Sequence, residues 1–228
     1  MERIRGIILV LQFSITVAFT VLAMYLFRNH THKIIKVWMK FQIKFLGIRL
    51  ETVGKIDESC DMILMNHQSL LDIIVMEHLH NRDIAWVAKK EISDLFFFGH
   101  IIKAPRMISV DRENKAGIIS LLKDVKDRLS KGRPIAMFPE GTRSDGSKIL
   151  KFKAGAKMVA NKFSLKIQPV LLLNTRSIVD SKNLKAKPGL VKVIYLEPVQ
   201  ANKGTTWFED LEISMKSKFE EELRDNVA

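Results

Sequence analysis

From Leu50 onward the chain alternates short apolar runs with longer stretches in which apolar residues recur every three or four positions. That is the pattern of strands buried in a sheet with helices laid on its faces. Six runs predict strands: MILM at 62–65, IAWVA at 84–88, MISV at 107–110, PIAMF at 134–138, IQPVLLL at 167–173 and LVKVIYL at 190–196. Between them, residues 114–132 put Ile118, Leu122, Val125 and Leu129 on one stripe and end in Lys131 and Gly132, a favourable helix C-terminus. Trp207, Leu211, Met215, Phe219 and Leu223, four apart, predict a closing amphipathic helix. The expected fold is α/β, a mixed and largely parallel sheet flanked by helices. No repeat, low-complexity tract or linker divides residues 51–228.

The first fifty residues follow a different rule. Gly6 to Phe27 carries no charge, and at about 1.5 Å per residue a helix of that length matches a hydrocarbon layer of about 30 Å. The run exceeds the ~7–15 residues of a signal-peptide core and no small-x-small cleavage site follows it, so it reads as a retained lipid contact. Behind it, Ile34, Ile35, Trp38, Phe41 and Phe45 recur at near-helical spacing with Lys33, Lys36, Lys40 and Lys44 between them. This basic amphipathic pattern, continuing to Leu50, suits the headgroup region of a bilayer. A spanning helix followed by a surface helix and a two-helix hairpin sunk in one leaflet both fit. The expected division is 1–50 as a two-helix membrane anchor and 51–228 as the α/β domain.

Composition narrows the partners. With 47% apolar and 27% charged residues the chain is a folded protein, not a disordered one. Its net charge of +12 favours anionic partners. Eight of the 37 Lys and Arg lie in the first fifty residues, with Glu2 the only acid there. That charge sits beside an apolar anchor and not among aromatics suited to base stacking, which argues against nucleic acid. One cysteine, Cys60, excludes an intrachain disulfide and fits a reducing compartment. Beside a strand it reads as a small buried hydrophobe.

The best candidate for chemistry is MNHQSLLD, Met65 to Asp72, where His67 and Asp72 stand five apart directly behind a predicted strand. Spacing alone decides nothing, because His78 and Asp83 repeat it. Within one helix such residues lie about 140° apart, and within one strand they point to opposite faces. They can meet only across a turn. A strand, a polar turn bearing His67 and a helix whose first turn bears Asp72 supply one, at the sheet edge where ligands of open α/β sheets bind. His78 and Asp83 lack that frame. Asp72 also fits a capping box with Ser69, in which its carboxylate satisfies a backbone amide. A metal cluster from Glu77, His78, His80 and Asp83 has no further ligands to support it.

A second constellation, PIAMFPEGTRSDGSKILKFKAGA, runs a strand into Glu140, Gly141, Thr142 and Arg143. The glycine permits close backbone approach, the threonine offers a hydroxyl, and the arginine fork suits a phosphate monoester. Lys148, Lys151 and Lys153 add positive potential. No G-x-x-x-x-G-K-[ST] loop occurs, and Ser144 lacks the G-x-S-x-G frame of a nucleophile elbow.

NHQSLLD followed by FPEGTRS resembles the glycerolipid acyltransferase family, specifically the bacterial 1-acyl-glycerol-3-phosphate acyltransferases. The likeness spans roughly residues 60–175 and includes VAKKEISDLFFFG at 87–99, MISVDR with Arg112, KFKAGA, and IQPVLLL with Pro169. Arg106 replaces the glycine that usually opens the second block, and Phe96 the proline common before FFG. The resemblance implies that His67 is a general base oriented by Asp72, acting on the sn-2 hydroxyl of lysophosphatidic acid. It implies an acyl-ACP or acyl-CoA donor and no cofactor. It also implies headgroup contacts from Arg112, Glu140, Gly141, Thr142 and Arg143, with Lys103 and Lys151 as further candidate cations. The expected place is the cell inner membrane, with the active site at its cytoplasmic face. Another lysophospholipid or glycerol 3-phosphate as acceptor, and a non-catalytic membrane tether, remain the alternative readings.

Overall fold

A computed structural model describes residues 1–111 and 114–225. It opens with α1 (Glu2–Leu26) and α2 (Thr31–Leu46), joined by a 3-10 turn at Arg28–His30. The helices fold back on each other, and Thr16 pins them: its hydroxyl accepts from Trp38 Nε1 at 3.1 Å and from Gln42 Nε2 at 3.2 Å. The helical pattern expected to continue to Leu50 stops earlier. Gly47 takes a left-handed φ of 65°, and its N–H caps the carbonyls of Ile43 and Lys44. The chain can then extend into β1 (Ile48–Val53), which crosses the boundary expected at residue 50.

The remaining elements follow as β2 (Met62–Met65), α3 (Leu71–Leu79), β3 (Ala85–Lys89), α4 (Lys90–Ser93), α5 (His100–Lys103), β4 (Ile108–Val110), α6 (Lys115–Ser130), β5 (Ile135–Met137), α7 (Ala154–Phe163), β6 (Lys166–Leu173), α8 (Thr175–Ile178), β7 (Val179–Asp180), β8 (Lys185–Ala186), β9 (Gly189–Tyr195), β10 (Val199–Gln200) and α9 (Trp207–Asp225). Each of the six expected strands is present to within one residue at either end.

Among the described residues, seven strands run in the order β1-β9-β6-β2-β5-β3-β4, with β10 paired beside β9 along β6. All neighbours are parallel except β9 and β10 against β6, so the sheet is mixed and mostly parallel. β7 and β8 form a separate antiparallel pair.

Alternation along the central strands splits the core in two. Ile63 and Met65 of β2 and Val170 and Leu172 of β6 face a cluster built with α1, α2 and α3. Met62, Leu64, Ile167, Leu171 and Leu173 face a second cluster closed by α6, α7 and α9. Burial on both faces is why these strands read as continuous apolar runs. In α9, Trp207, Leu211, Met215 and Phe219 are buried as the four-residue spacing implies. In α6, Val125 is buried and Leu122 and Leu129 pack against the second cluster as expected, with Leu121 beside them, whereas Ile118 is 38% exposed.

α1 contributes to the first cluster along one side only. On the other, Ile4, Ile8, Leu11, Ile15, Phe19, Leu22 and Leu26 form an exposed apolar stripe, and the helix is long and apolar enough to cross a membrane. This indicates membrane association. The first turns of α1 seat on the residues before β8, where a Cβ at Gly6 would lie 1.9 Å from the Leu184 carbonyl oxygen. Gly6→Leu should therefore lower stability by about 1–3 kcal/mol, measured by thermal denaturation in detergent. Gly155→Ala, at a helical position with nothing within 4 Å of the added Cβ, should leave the melting temperature unchanged or slightly raised.

Candidate active site

His67 follows β2, Phe138 follows β5, Thr175 follows β6 and Lys89 ends β3, so these residues gather at the carboxyl edge of the parallel strands. The turn is tied down residue by residue. Asn66 extends the ladder beyond β2: its side chain donates to Leu172 O at 2.9 Å and accepts from Leu172 N at 2.7 Å. Ser69 donates to Val179 O at 2.6 Å and accepts from Leu71 N at 3.2 Å.

His67 Nδ1 lies 2.7 Å from Asp72 Oδ2 across that turn. The same oxygen accepts from the amides of Gln68 at 2.7 Å and Ser69 at 2.9 Å, while Thr175 donates to Oδ1 at 2.5 Å. Asp72 is 0% exposed. The orienting and capping readings of Asp72 are thus not rivals, because one carboxylate does both. Its acceptor role at His67 assigns the proton to Nδ1 and leaves the Nε2 lone pair outward. Nε2 has no protein partner among the described residues, and His67 lines a cavity of about 460 Å³.

The second constellation holds the first. Glu140 Oε1 accepts from His67 N and Oε2 from Leu150 N, both at 2.6 Å, and Ser144 N donates to His67 O at 2.8 Å. Both backbone polar groups of His67 are therefore bound by the FPEGTRS segment. Glu140 is 1% exposed and lies outside the cavity wall, so it braces this loop where a headgroup contact was expected. Burial pushes its carboxyl up to about 7, opposed by the amide bonds from Leu150 and His67. Gly141 turns the chain with a φ of 72°, and Gly141, Thr142 and Arg143 reach the cavity wall. Arg143 is exposed and makes no side-chain hydrogen bond or ion pair among the described residues.

Lys103 and Lys151 are exposed and do not line the cavity, and Arg112 lies outside the described residues. Lys89, absent from the expected set, does line it; its signal was the Lys-Lys pair ending the β3 run. Phe138 was also missed. Its ring stacks on the His67 imidazole with centroids 3.7 Å apart and planes 11° from parallel. Thr175 gave no local signal, since it stands 103 residues from Asp72.

The second His–Asp spacing leads elsewhere. Asp83 pairs with Arg133 at 2.9 Å, and His78 sits in the last turn of α3, where Lys36 Nζ donates to its carbonyl at 2.8 Å. Glu77 accepts from Trp86 Nε1 at 2.6 Å. Cys60 is buried and its thiol is pushed up to about 11 by that burial, which suits a packing role and not a nucleophile.

The cavity lining mixes two chemistries: the polar His67, Lys89, Thr142 and Arg143, and apolar side chains that include Ile74, Met137 and Phe138 together with Phe13, Val17 and Ile35 of α1 and α2. An imidazole base beside cations and an extended apolar space fits an acceptor bearing phosphate and a reactant bearing a hydrocarbon chain.

Comparison with known proteins agrees with this chemistry. A family model described as Acyltransferase matches residues 55–173. The chain is similar to a 1-acyl-sn-glycerol-3-phosphate acyltransferase of Helicobacter pylori strain J99, with 45% identity over 76% of this chain and 74% of the relative. It is also similar to a lyso-ornithine lipid O-acyltransferase of Brucella abortus, with 31% identity over 58% of this chain and 52% of the relative. Among solved structures, the crystal structure of the 1-acyl-sn-glycerophosphate (LPA) acyltransferase, PlsC, from Thermotoga maritima matches with a TM-score of 0.76 and 26% identity, over 100% of this chain and 98% of that one. With the family match running from the strand before His67 to the end of β6, and so enclosing both laced constellations, the chain belongs to the acyltransferase family.

Proposed function

We propose that the protein transfers a fatty acyl group from an acyl-ACP or acyl-CoA thioester to the sn-2 hydroxyl of lysophosphatidic acid, giving phosphatidic acid. The observation that carries this reading is the His67–Asp72 pair at 2.7 Å opening onto a cavity that Lys89 and Arg143 line together with α1 and α2. His67 Nε2 takes the proton of the sn-2 hydroxyl as its oxygen attacks the thioester carbonyl. The tetrahedral intermediate collapses with cleavage of the C–S bond, and the imidazolium returns the proton to the departing thiolate. Asp72 keeps the ring in the reactive tautomer and steadies its cationic form. Arg143 and Lys89, with Thr142 and Gly141, hold the phosphate, and the apolar wall receives an acyl chain.

Residues 1–50 seat the protein in the inner membrane, and residues 51–228 carry the chemistry. The positive charge after Phe27, heavier than that before it, supports an active site at the cytoplasmic face. The lyso-ornithine lipid activity named for the Brucella relative gives another acceptor a specific basis. The cations on the polar wall favour a phosphate acceptor over it, and an assay of purified protein against both acceptors decides.

Base catalysis contributes on the order of 10² to 10⁴ in rate, so His67→Ala should abolish nearly all turnover in a protein that still folds, with a lower melting temperature because Asp72 loses a buried donor; a variant keeping most of its activity would contradict the assignment. Arg143→Ala should raise KM for lysophosphatidic acid at least tenfold, on the order expected for a charge-assisted phosphate contact, and leave KM for the donor little changed. Glu140→Gln presents an NH₂ group where both carboxylate oxygens accept backbone amides. It should lower kcat and melting temperature together, whereas an active, equally stable Gln variant would remove the bracing role.

A further inference from the structure

One hydrogen bond from His67 Nδ1 to Asp72 fixes the edge of the imidazole but leaves the ring free to tilt about the Nδ1···Oδ2 line. The plane is set by Phe138, stacked at 3.7 Å. Phe138 is only partly buried and needs backing. Trp86 supplies it, with ring centroids 5.5 Å apart and 29° between planes, and the Trp86 indole N–H donates to Glu77 Oε1 at 2.6 Å.

Glu77 is a carboxyl where an apolar side chain would be expected. It is 2% exposed and lines the cavity, and a group of this kind is costly to bury unless it is bonded. Burial pushes it up to about 7, and the indole bond opposes that rise. The acyl-transfer steps make no use of it. Lys36, the cation facing this end of α3, is engaged by the carbonyls of Glu77, His78 and His80 at 2.7–2.8 Å. α3 carries Asp72 in its first turn and Glu77 five residues on, so one rigid helix reaches both the edge of the imidazole and, through two rings, its face.

We infer that Glu77 is a positioning residue for the acyl transfer: its carboxyl locks the Trp86 indole, which backs Phe138 and so fixes the plane in which His67 presents Nε2 to the acceptor hydroxyl. This rests on the acyltransferase reading of the site. Replacing Glu77 by an apolar side chain of similar size keeps that part of the cavity lining apolar and leaves His67, Lys89 and Arg143 in place, so the loss falls on kcat and not on KM.

The test uses the full-length protein in detergent micelles with lysophosphatidic acid and an acyl thioester. Glu77→Gln keeps an oxygen acceptor for the indole and should stay within about twofold of the wild-type kcat. Glu77→Leu should lower kcat on the order of tenfold with KM for both substrates within about twofold, because small displacements of reacting groups cost up to about 10²-fold. The double variant Glu77→Leu, Trp86→Phe removes the indole N–H together with its acceptor, so no buried donor is left unpaired. It should melt no lower than Glu77→Leu alone and still turn over slowly. A Glu77→Leu enzyme with wild-type kcat, a Gln variant as slow as Leu, or a double variant recovering rate along with stability would each overturn the inference. Wild-type protein that transfers no acyl group would overturn the reading beneath it as well.

Discussion

The carboxylate of Asp72 is the constraint on which the site depends. It is fully buried and accepts from an imidazole, two amides of the preceding turn and a hydroxyl that follows β6. A buried carboxylate is tolerable only when its lone pairs are occupied, so these donors stand or fall together. The turn keeps its shape because Asp72 needs the amides, and the imidazole is aimed because the turn keeps its shape. Thr175 ties that order to the neighbouring strand, just beyond the carboxyl end of β6.

The two segments are hydrogen-bonded directly to each other as well as to the sheet. Glu140 and Ser144 take up the N–H and C=O of His67, so the loop bearing Arg143 cannot move independently of the base. A phosphate held by that loop is thereby held at a fixed distance from the imidazole. Such lacing converts binding of a headgroup into placement of a hydroxyl. The opposite wall, formed by α1 and α2, brings the lipid-seeking part of the chain to the same cavity. Chemistry and membrane contact therefore share one hydrophobic cluster. α1 also carries an exposed apolar stripe, and Phe96, in the loop before α5, is 97% exposed.

Much of this was legible because the central strands are buried on both faces, so MILM and IQPVLLL could be nothing but interior. The His67–Asp72 pair followed from geometry, since only a strand–turn–helix lets residues five apart meet. β1 was not legible. The amphipathic pattern of α2 runs into it, and the left-handed Gly47 that separates them needed more weight than the apolar spacing. β7, β8 and β10 are two residues each, too short for any period. Glu140 was read as a substrate contact because its charge is visible in sequence and its two amide partners are not. Thr175 and Phe138 were hidden for a related reason: a hydroxyl and a ring act here through neighbours brought close only by the sheet.

Asp72 holds the His67 ring as the Nδ1–H tautomer, and ¹⁵N NMR of histidine-labelled protein in nanodiscs, at a pH where the ring is neutral, reads this directly. The spectrum should show a protonated Nδ1 with a proton shifted far downfield, an unprotonated Nε2, and loss of that downfield signal in Asp72→Asn. A wild-type ring protonated at Nε2, or a spectrum unmoved by Asp72→Asn, would contradict it.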